Sequence, residues 1–350
     1  MKKLTLIVTV VLALSALPAL ADGAKTEVRD PAKLIPPMQL GDKLTLKLWG
    51  FSQGAFVENA APDEFQWTSL RLLGSFDRER LGLGFVFNFA DLQNPNSNWV
   101  RELYGKFKLT DTLEARVGRI LHSAGYGEGF PGPPANETVL FPKCLQFGQY
   151  GTGLQLRWKR QLWSVVADAT GNSAPAFDDP ESLKHLEFSG RIKRSFVSQK
   201  RELGYLGGSV QLTKDVGRFG FDGQWQPVKE LTLRGGAFYA RYASQKHSDC
   251  LGAFALVAHR PVRWLELHTM LDGTVDLQKE YQVTQKQKDK QGNVTYKTVT
   301  QQTSDDVMIT WTYGLRFLGQ DDCWSLTLDY EQGLADNKTD RALARFHVQF

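Results

Sequence analysis

From Leu44 onward, apolar and polar residues recur with a period of two rather than 3.6, which is the signature of half-buried strands. Leu44, Leu46 and Leu48 alternate with Thr45, Lys47 and Trp49. Leu81, Leu83, Phe85 and Phe87 alternate with Gly82, Gly84, Val86 and Asn88. The same rhythm returns with Phe219, Phe221 and Trp225 against Arg218, Asp222 and Gln224, and with Trp324, Leu326, Leu328 and Tyr330 against Ser325, Thr327 and Asp329. It is poorest over Glu187–Arg194 and Leu251–Ala258. The apolar series often starts or ends on Trp, Tyr or Phe, while the opposite series carries Arg, Lys, Glu, Gln, Gly and Thr. Aromatic ends, an apolar face and a polar face over strands of about ten residues describe a wall with lipid on one side and water on the other. A secreted β-sandwich or β-helix is the competing reading.

The connections alternate in length. Asp77–Arg80, Thr110–Thr112, Lys159–Gln161, Pro227–Glu230, Arg260–Arg263 and Gly319–Asp322 are short, whereas His122–Phe147, Thr170–Lys184 and Lys279–Ser304 are long. The fold class expected is all-β, a transmembrane antiparallel β-barrel of about sixteen strands, with fourteen as the alternative. An even count puts both termini at one end. Closure leaves no strand edge facing lipid. The polar stretch Gln278–Ser304 has a Gly-Asn turn at its centre and reads as a solvated loop, with Val283, Val294, Tyr296 and Val299 suggesting a hairpin beyond the membrane.

The ends carry addresses. Lys2 and Lys3, the apolar run Leu4–Leu17 and the Ala19-Leu20-Ala21 site form a secretory signal over residues 1–21, with cleavage near Ala21. Residues 22–41, interrupted by Pro31, Pro36 and Pro37, read as a short leader, and residues 42–350 as the barrel. At the far end Phe346, Val348 and Phe350 share one strand face, and the last residue is aromatic. This resembles the terminal signature by which outer-membrane barrels are recognised by their insertion machinery.

Composition narrows the choice of function. No apolar run of about 20 residues follows the signal, which excludes a polytopic helical membrane protein. Aromatic residues at 11% exclude a disordered chain. The net charge of +4 falls to +2 when Lys2 and Lys3 are removed, too little to imply nucleic acid. Cys144, Cys250 and Cys323 are an odd set without metal-ligand spacing, so no metal or cofactor is expected, and whether Cys144 and Cys250 pair stays open. No Gly-x-Ser-x-Gly occurs, and no strand carries a nucleophile and base at matched spacing, so no enzyme is expected.

Between Trp67 and Lys159 the chain carries Ser69-Leu70-Arg71-Leu72, the strand Gly82–Asp91, Leu103–Phe107, Leu113–Arg119 and a Gly/Pro-rich loop leading to Tyr150–Gly153. This stretch resembles the phosphate-selective porin O/P family and its porin-like relatives. The resemblance implies a Gram-negative-type outer membrane, contact with its lipid, and passive diffusion of small hydrophilic solutes or ions; general porins suggest a homotrimer. A plugged barrel serving as scaffold or adhesin is the alternative.

The polar phase then supplies candidate pore-lining residues: Arg71, Lys106, Arg116, Arg157, Arg191, Arg234, Arg316 and Arg345. Acidic candidates on the same face are Glu102, Glu114, Glu187, Asp222, Glu266, Asp272 and Asp329. Basic residues outnumber acidic ones, which predicts a weak preference for anions. The competing reading is that lumen charges pair and hydrate. By analogy with general porins, His122–Phe147 folds inward as a constriction loop, and its Glu128 and Glu137 would face Arg116 and Arg157.

Overall fold

The structure, a computed structural model, describes residues 36–40, 43–57, 65–89, 99–123, 150–171, 186–198, 201–243, 247–288, 294–303, 306–319, 324–335 and 340–349. In chain order the strands are β1 (Met38–Leu40), β2 (Leu44–Val57), β3 (Phe65–Arg78), β4 (Leu81–Asn88), β5 (Val100–Lys108), β6 (Leu113–Leu121) and β7 (Tyr150–Arg160). They continue as β8 (Trp163–Gly171), β9 (Leu186–Ser198), β10 (Arg201–Leu212), β11 (Val216–Val228), β12 (Leu231–Tyr242) and β13 (Asp249–Val262). The last are β14 (Leu265–Leu277), β15 (Glu280–Lys288), β16 (Val294–Gln302), β17 (Val307–Leu318), β18 (Trp324–Ala335) and β19 (Arg341–Gln349).

Consecutive strands from β2 to β14 pair antiparallel, and β14, β17, β18 and β19 continue the series. β19 also pairs with β2, through Phe346↔Gly54 and its neighbours. Each of these sixteen strands thus has a hydrogen-bonded neighbour on both sides, and the sheet returns on itself. β15 and β16 form a separate hairpin, Val283 opposite Val299, inserted between β14 and β17. At the end of the expected leader over 22–41, β1 pairs with the start of β2 through Leu40↔Leu44. Residues 1–35 and Phe350 lie outside the described residues.

Period-two alternation turns the usual inside-out relation round. Leu83, Leu154, Ile192, Phe219, Phe221, Trp225, Leu271 and Leu328 are exposed, while Gln155, Asp168, Arg218, Asp222, Asp272, Thr312 and Asp329 are buried. In water such a face would forfeit about 1.5–3 kcal/mol for each large apolar side chain left unburied. A hydrocarbon surround removes that cost, so the outward band is matched to lipid and the enclosed face to a wet interior. The weakly alternating stretches Glu187–Arg194 and Leu251–Ala258 lie in β9 and β13. In β13 the reason is visible: outward Leu251 and Val257 are apolar, and so are inward Cys250, Phe254, Leu256 and Ala258.

Candidate functional site

The enclosed face is where the chain gathers its polar chemistry. Strand pairing sets Lys106 opposite Arg116, Arg116 opposite Gln155, and Gln155 opposite Asp168, so that β5 to β8 present one continuous polar row. One strand step away, Glu114 stands opposite Arg157 and Arg191 opposite Val166. Between these rows lies a hollow of about 140 Å³ whose lining includes Glu102, Arg116, His122, Gln155, Arg157 and Arg191. Glu102 is within electrostatic reach of Arg116, Arg157 and Arg71. Arg116 donates from Nε to Glu114 Oε1 at 2.7 Å, and its guanidinium lies 4.7 Å from the centre of the Tyr104 ring. Around Glu102, then, three guanidinium groups face two carboxylates.

The remaining expected basic residues are spread round the circuit. Arg191, on β9, makes a two-pronged contact with Asp222 on β11, Nη1 to Oδ1 and Nη2 to Oδ2, both at 2.7 Å. Lys106 pairs with Asp77 and Arg345 with Asp329. Arg316 is 3.8 Å from Glu266. Arg234 lies on β12 within reach of Tyr205, as does Arg191. Among the expected pore-lining residues, Lys106, Arg116, Arg191, Arg316 and Arg345 each stand within 4 Å of a described carboxylate. Glu128 and Glu137 lie outside the described residues. At the terminal signature, Phe346 is exposed on the outward face and Val348 is half-buried.

Several of these pairs share one device. Asp77, Gly82 and Lys106 occupy matched positions on β3, β4 and β5. A Cβ built on Gly82 would collide with Lys106 Cε and stand 2.8 Å from Asp77 Oδ1. His268, Gly314 and Asp329 are matched in the same way on β14, β17 and β18. There a Cβ would collide with Asp329 Oδ1 and approach His268 Nε2 to 2.9 Å, across the 2.7 Å contact between those two atoms. Gly207 on β10 leaves similar room beneath Arg191 and Asp222. An absent side chain on the middle strand lets partners two strands apart meet flat against the wall.

At the long-connection end, sequence reasoning missed a buried polar knot. His122 Nδ1 is 3.3 Å from Asp168 Oδ1 and 3.1 Å from Thr170 Oγ1. The Ser123 amide donates to Asp168 Oδ2 at 2.7 Å, and Ser189 Oγ donates to Asp168 Oδ1 at 2.5 Å. Gln211 joins Glu187 to Arg218, whose Nη1 donates to Gln211 Oε1 at 2.9 Å. These residues are serine, histidine and aspartate, but the carboxylate sits between hydroxyl and imidazole. Ser189 therefore meets the carboxylate and not the imidazole that activates a serine nucleophile, and the knot ties the ends of β6, β8 and β9 together. Its members are far apart in sequence, and only their shared polar phase signalled them. Among the described residues no three His, Cys, Asp or Glu side chains gather as a metal site.

No protein-family model matches the chain, and no curated protein matches it in sequence. Solved structures do resemble it in fold. OmpT of Vibrio cholerae aligns with a TM-score of 0.58 at 10% identity, over 89% of this chain and 99% of the other. The same protein in an in-vitro folded trimer form aligns at 0.52 and 10% identity, over 88% and 100%. OmpF of Salmonella typhi, in complex with daunomycin, gives 0.58 at 11% identity over 90% and 100%. A mutant of the Rh. blastica porin gives 0.55 at 10% identity over 87% and 100%. At these identities the likeness is one of fold, and it is a likeness to barrels of the porin kind.

Proposed function

We propose that this chain is an outer-membrane porin that lets small hydrophilic solutes or ions diffuse passively, with a weak preference for anions. The observation that carries the reading is the reversed distribution of side chains round the sixteen-strand circuit: large apolar groups outward, charged and hydroxyl groups inward. Support for the anion preference comes from the cluster around Glu102, where, among the described residues, Arg71, Arg116 and Arg157 stand with Glu102 and Glu114. No catalysis and no cofactor enter this reading. The signal over residues 1–21 would deliver the chain to the outer membrane, the terminal aromatic strand would present it to the insertion machinery, and a homotrimer is the assembly proposed, as in the trimer form of OmpT.

Reconstitution in a planar lipid bilayer tests this. Steady ohmic steps with a small anion-selective reversal potential in a salt gradient are expected. One observation favours a second reading, a plugged barrel acting as scaffold or adhesin: an apolar cluster on the inward face of β12 to β14, including Phe238, Phe254, Leu256 and Met270, is almost wholly covered. A folded, inserted protein without conductance would favour that reading and remove the porin.

A further inference from the structure

We infer that the outward wall of β8 to β12 carries a binding furrow for a phosphate-bearing membrane lipid, with one acyl chain lying in the furrow and the phosphate held at its outer end by Arg241. The inference rests on the outward face meeting hydrocarbon and is independent of whether the lumen conducts. An open hollow of about 700 Å³, lined by apolar groups, lies on this wall. Along one row of the sheet Gly190 stands between Ala167 and Val210, and along the next Gly208 stands between Ile192 and Phe221. Ile192 and Phe221 are 48% and 57% exposed, so the furrow is cut between side chains that already project outward. The two glycines give it depth. A Cβ on Gly208 would come no closer than 3.8 Å to Ile192 Cγ2, and one on Gly190 no closer than 3.7 Å to the Val166 carbonyl oxygen and Val210 Cγ1. Both positions therefore have room for a side chain, unlike Gly82, Gly207 and Gly314, where a Cβ would strike a partner. Neither has a positive φ, and neither lies at a register shift. A glycine inside a strand weakens it, and with bulge and crowding set aside these two mark a place where something outside the wall comes close to the backbone.

The surround and the rim identify it. The furrow opens toward the hydrocarbon layer, where an acyl chain is the molecule at hand. Tyr239 stands opposite Phe219 at the furrow's side. Two residues further along β12, about 7 Å on, the same outward phase brings Arg241, which is exposed. That end of β12 is the end at which the long connections lie, the outer side of the membrane. Arg241 stands opposite Gly217, a neighbour without a side chain. Lys214, also exposed, lies in the turn between β10 and β11, where the Asp215 carbonyl accepts from the Ala243 amide at 2.9 Å. Among the described residues neither cation forms an ion pair with a carboxylate. Asp215 adds one negative charge beside Lys214, while Asp249 is engaged by Lys279 and by the Tyr239 hydroxyl, which donates to its Oδ2 at 2.9 Å. A net positive rim over an apolar slot repeats the order of parts in a phosphate-bearing lipid, head above chain. A second copy of the chain would need a broad self-complementary patch, and the space between Ile192 and Phe221 is a slot and not a plane.

Native mass spectrometry of the folded protein in detergent, titrated with dimyristoyl phosphatidylglycerol, tests this. One lipid per chain should be retained under activation that strips dimyristoylglycerol, which has the same chains and no phosphate. Gly208→Leu, which fills the furrow, and Arg241→Gln, which removes the head contact, should each weaken retention about tenfold, the effect of about two buried methylenes or of one charge-assisted bond. Leu328→Phe, on the outward face of β18, should leave retention unchanged. Heat-modifiable migration reports that each variant is folded, and Gly190→Leu gives the same readout if Gly208→Leu does not fold. Equal retention in wild type and in the furrow and rim variants means annular lipid only and overturns the site, as does equal retention of the two lipids. Loss of an oligomer in Gly208→Leu assigns the face to a second copy and overturns it too. A chain that does not insert into phosphatidylglycerol vesicles removes the membrane reading, and the site with it.

Discussion

Along β5 to β9 the inward positions hold Lys106, Arg116, Gln155, Arg157, Asp168 and Arg191, whereas along β12 to β14 they include an apolar cluster of Phe238, Phe254, Leu256 and Met270 beside His268 and Asp272. The backbone is the same in both regions, an antiparallel ladder in regular register. What differs is what the enclosed face must meet. The first region pairs polar groups through charge-assisted bonds, such as Arg116 to Glu114 within it and Arg191 to Asp222 on β11. The second sets a covered apolar cluster, which gains by burial, beside the buried polar side chains of His268, Asp272 and Thr274. A barrel wall thus has two independent faces, and fixing the outer one for lipid leaves the inner one free to be either kind.

The sharpest way to break this contrast is to remove one member of a buried pair. Asp222→Ala leaves the Arg191 guanidinium without the carboxylate that takes both its prongs, and should cost about 4 kcal/mol. Urea titration of the folded protein in lipid vesicles checks it. Replacing both residues, as R191M/D222L, should recover most of that loss, since an apolar pair of similar volume does not strand a charge. In the apolar region, Phe238→Ala should cost about 3 kcal/mol in the same titration, through lost transfer energy and a cavity. Near-zero loss there would mean that the inner wall is not covered.

A smaller effect is expected in the lumen field. Replacing Arg116 and Arg157 together with Gln removes two of three guanidinium groups around Glu102 and should move the reversal potential toward cations, with unitary conductance steps retained. An unchanged reversal potential with conductance intact would take both residues off the site. The smallest effect belongs to the exposed pair Lys43 and Glu79, whose side chains are 61% and 64% exposed at 2.8 Å. Lys43→Ala should change stability by less than about 0.5 kcal/mol, and a larger loss would mean that the pair belongs to a network.

Alternation alone located the strands from Leu44 to Gln349, because lipid and water sort side chains by the same period that the pleat imposes. It weakened at Leu251–Ala258 for a physical reason: with both faces of β13 apolar, a period of two leaves no contrast to detect. The short β1 escaped because three residues carry no period. At the site, the sequence supplied Arg191 and Asp222 as members of one polar phase. Their pairing was hidden, since they lie 31 positions apart and meet across β10 over Gly207. The same holds for His122, Asp168 and Ser189, which three separate strand ends bring together. The glycines at 82, 207 and 314 were the legible trace of such crossings, but a glycine in a strand has several readings, and only register distinguishes them.

Those flattened pairs also govern how the tube feels from its axis. A lone cation on the wall acts on a passing solute with an energy that falls as the inverse of distance. A cation and carboxylate pressed together over a glycine act as a small dipole lying in the wall, and its influence fades a full power of distance faster. Lys106 with Asp77 and Arg191 with Asp222 therefore leave little imprint on water a few ångströms away. In the proposed pore, the paired stretches among the described residues are electrically quiet, and a solute meets an uneven field where the guanidinium groups crowd round Glu102. Sorting by charge would then depend on brushing one side of the passage and not on the length of the journey.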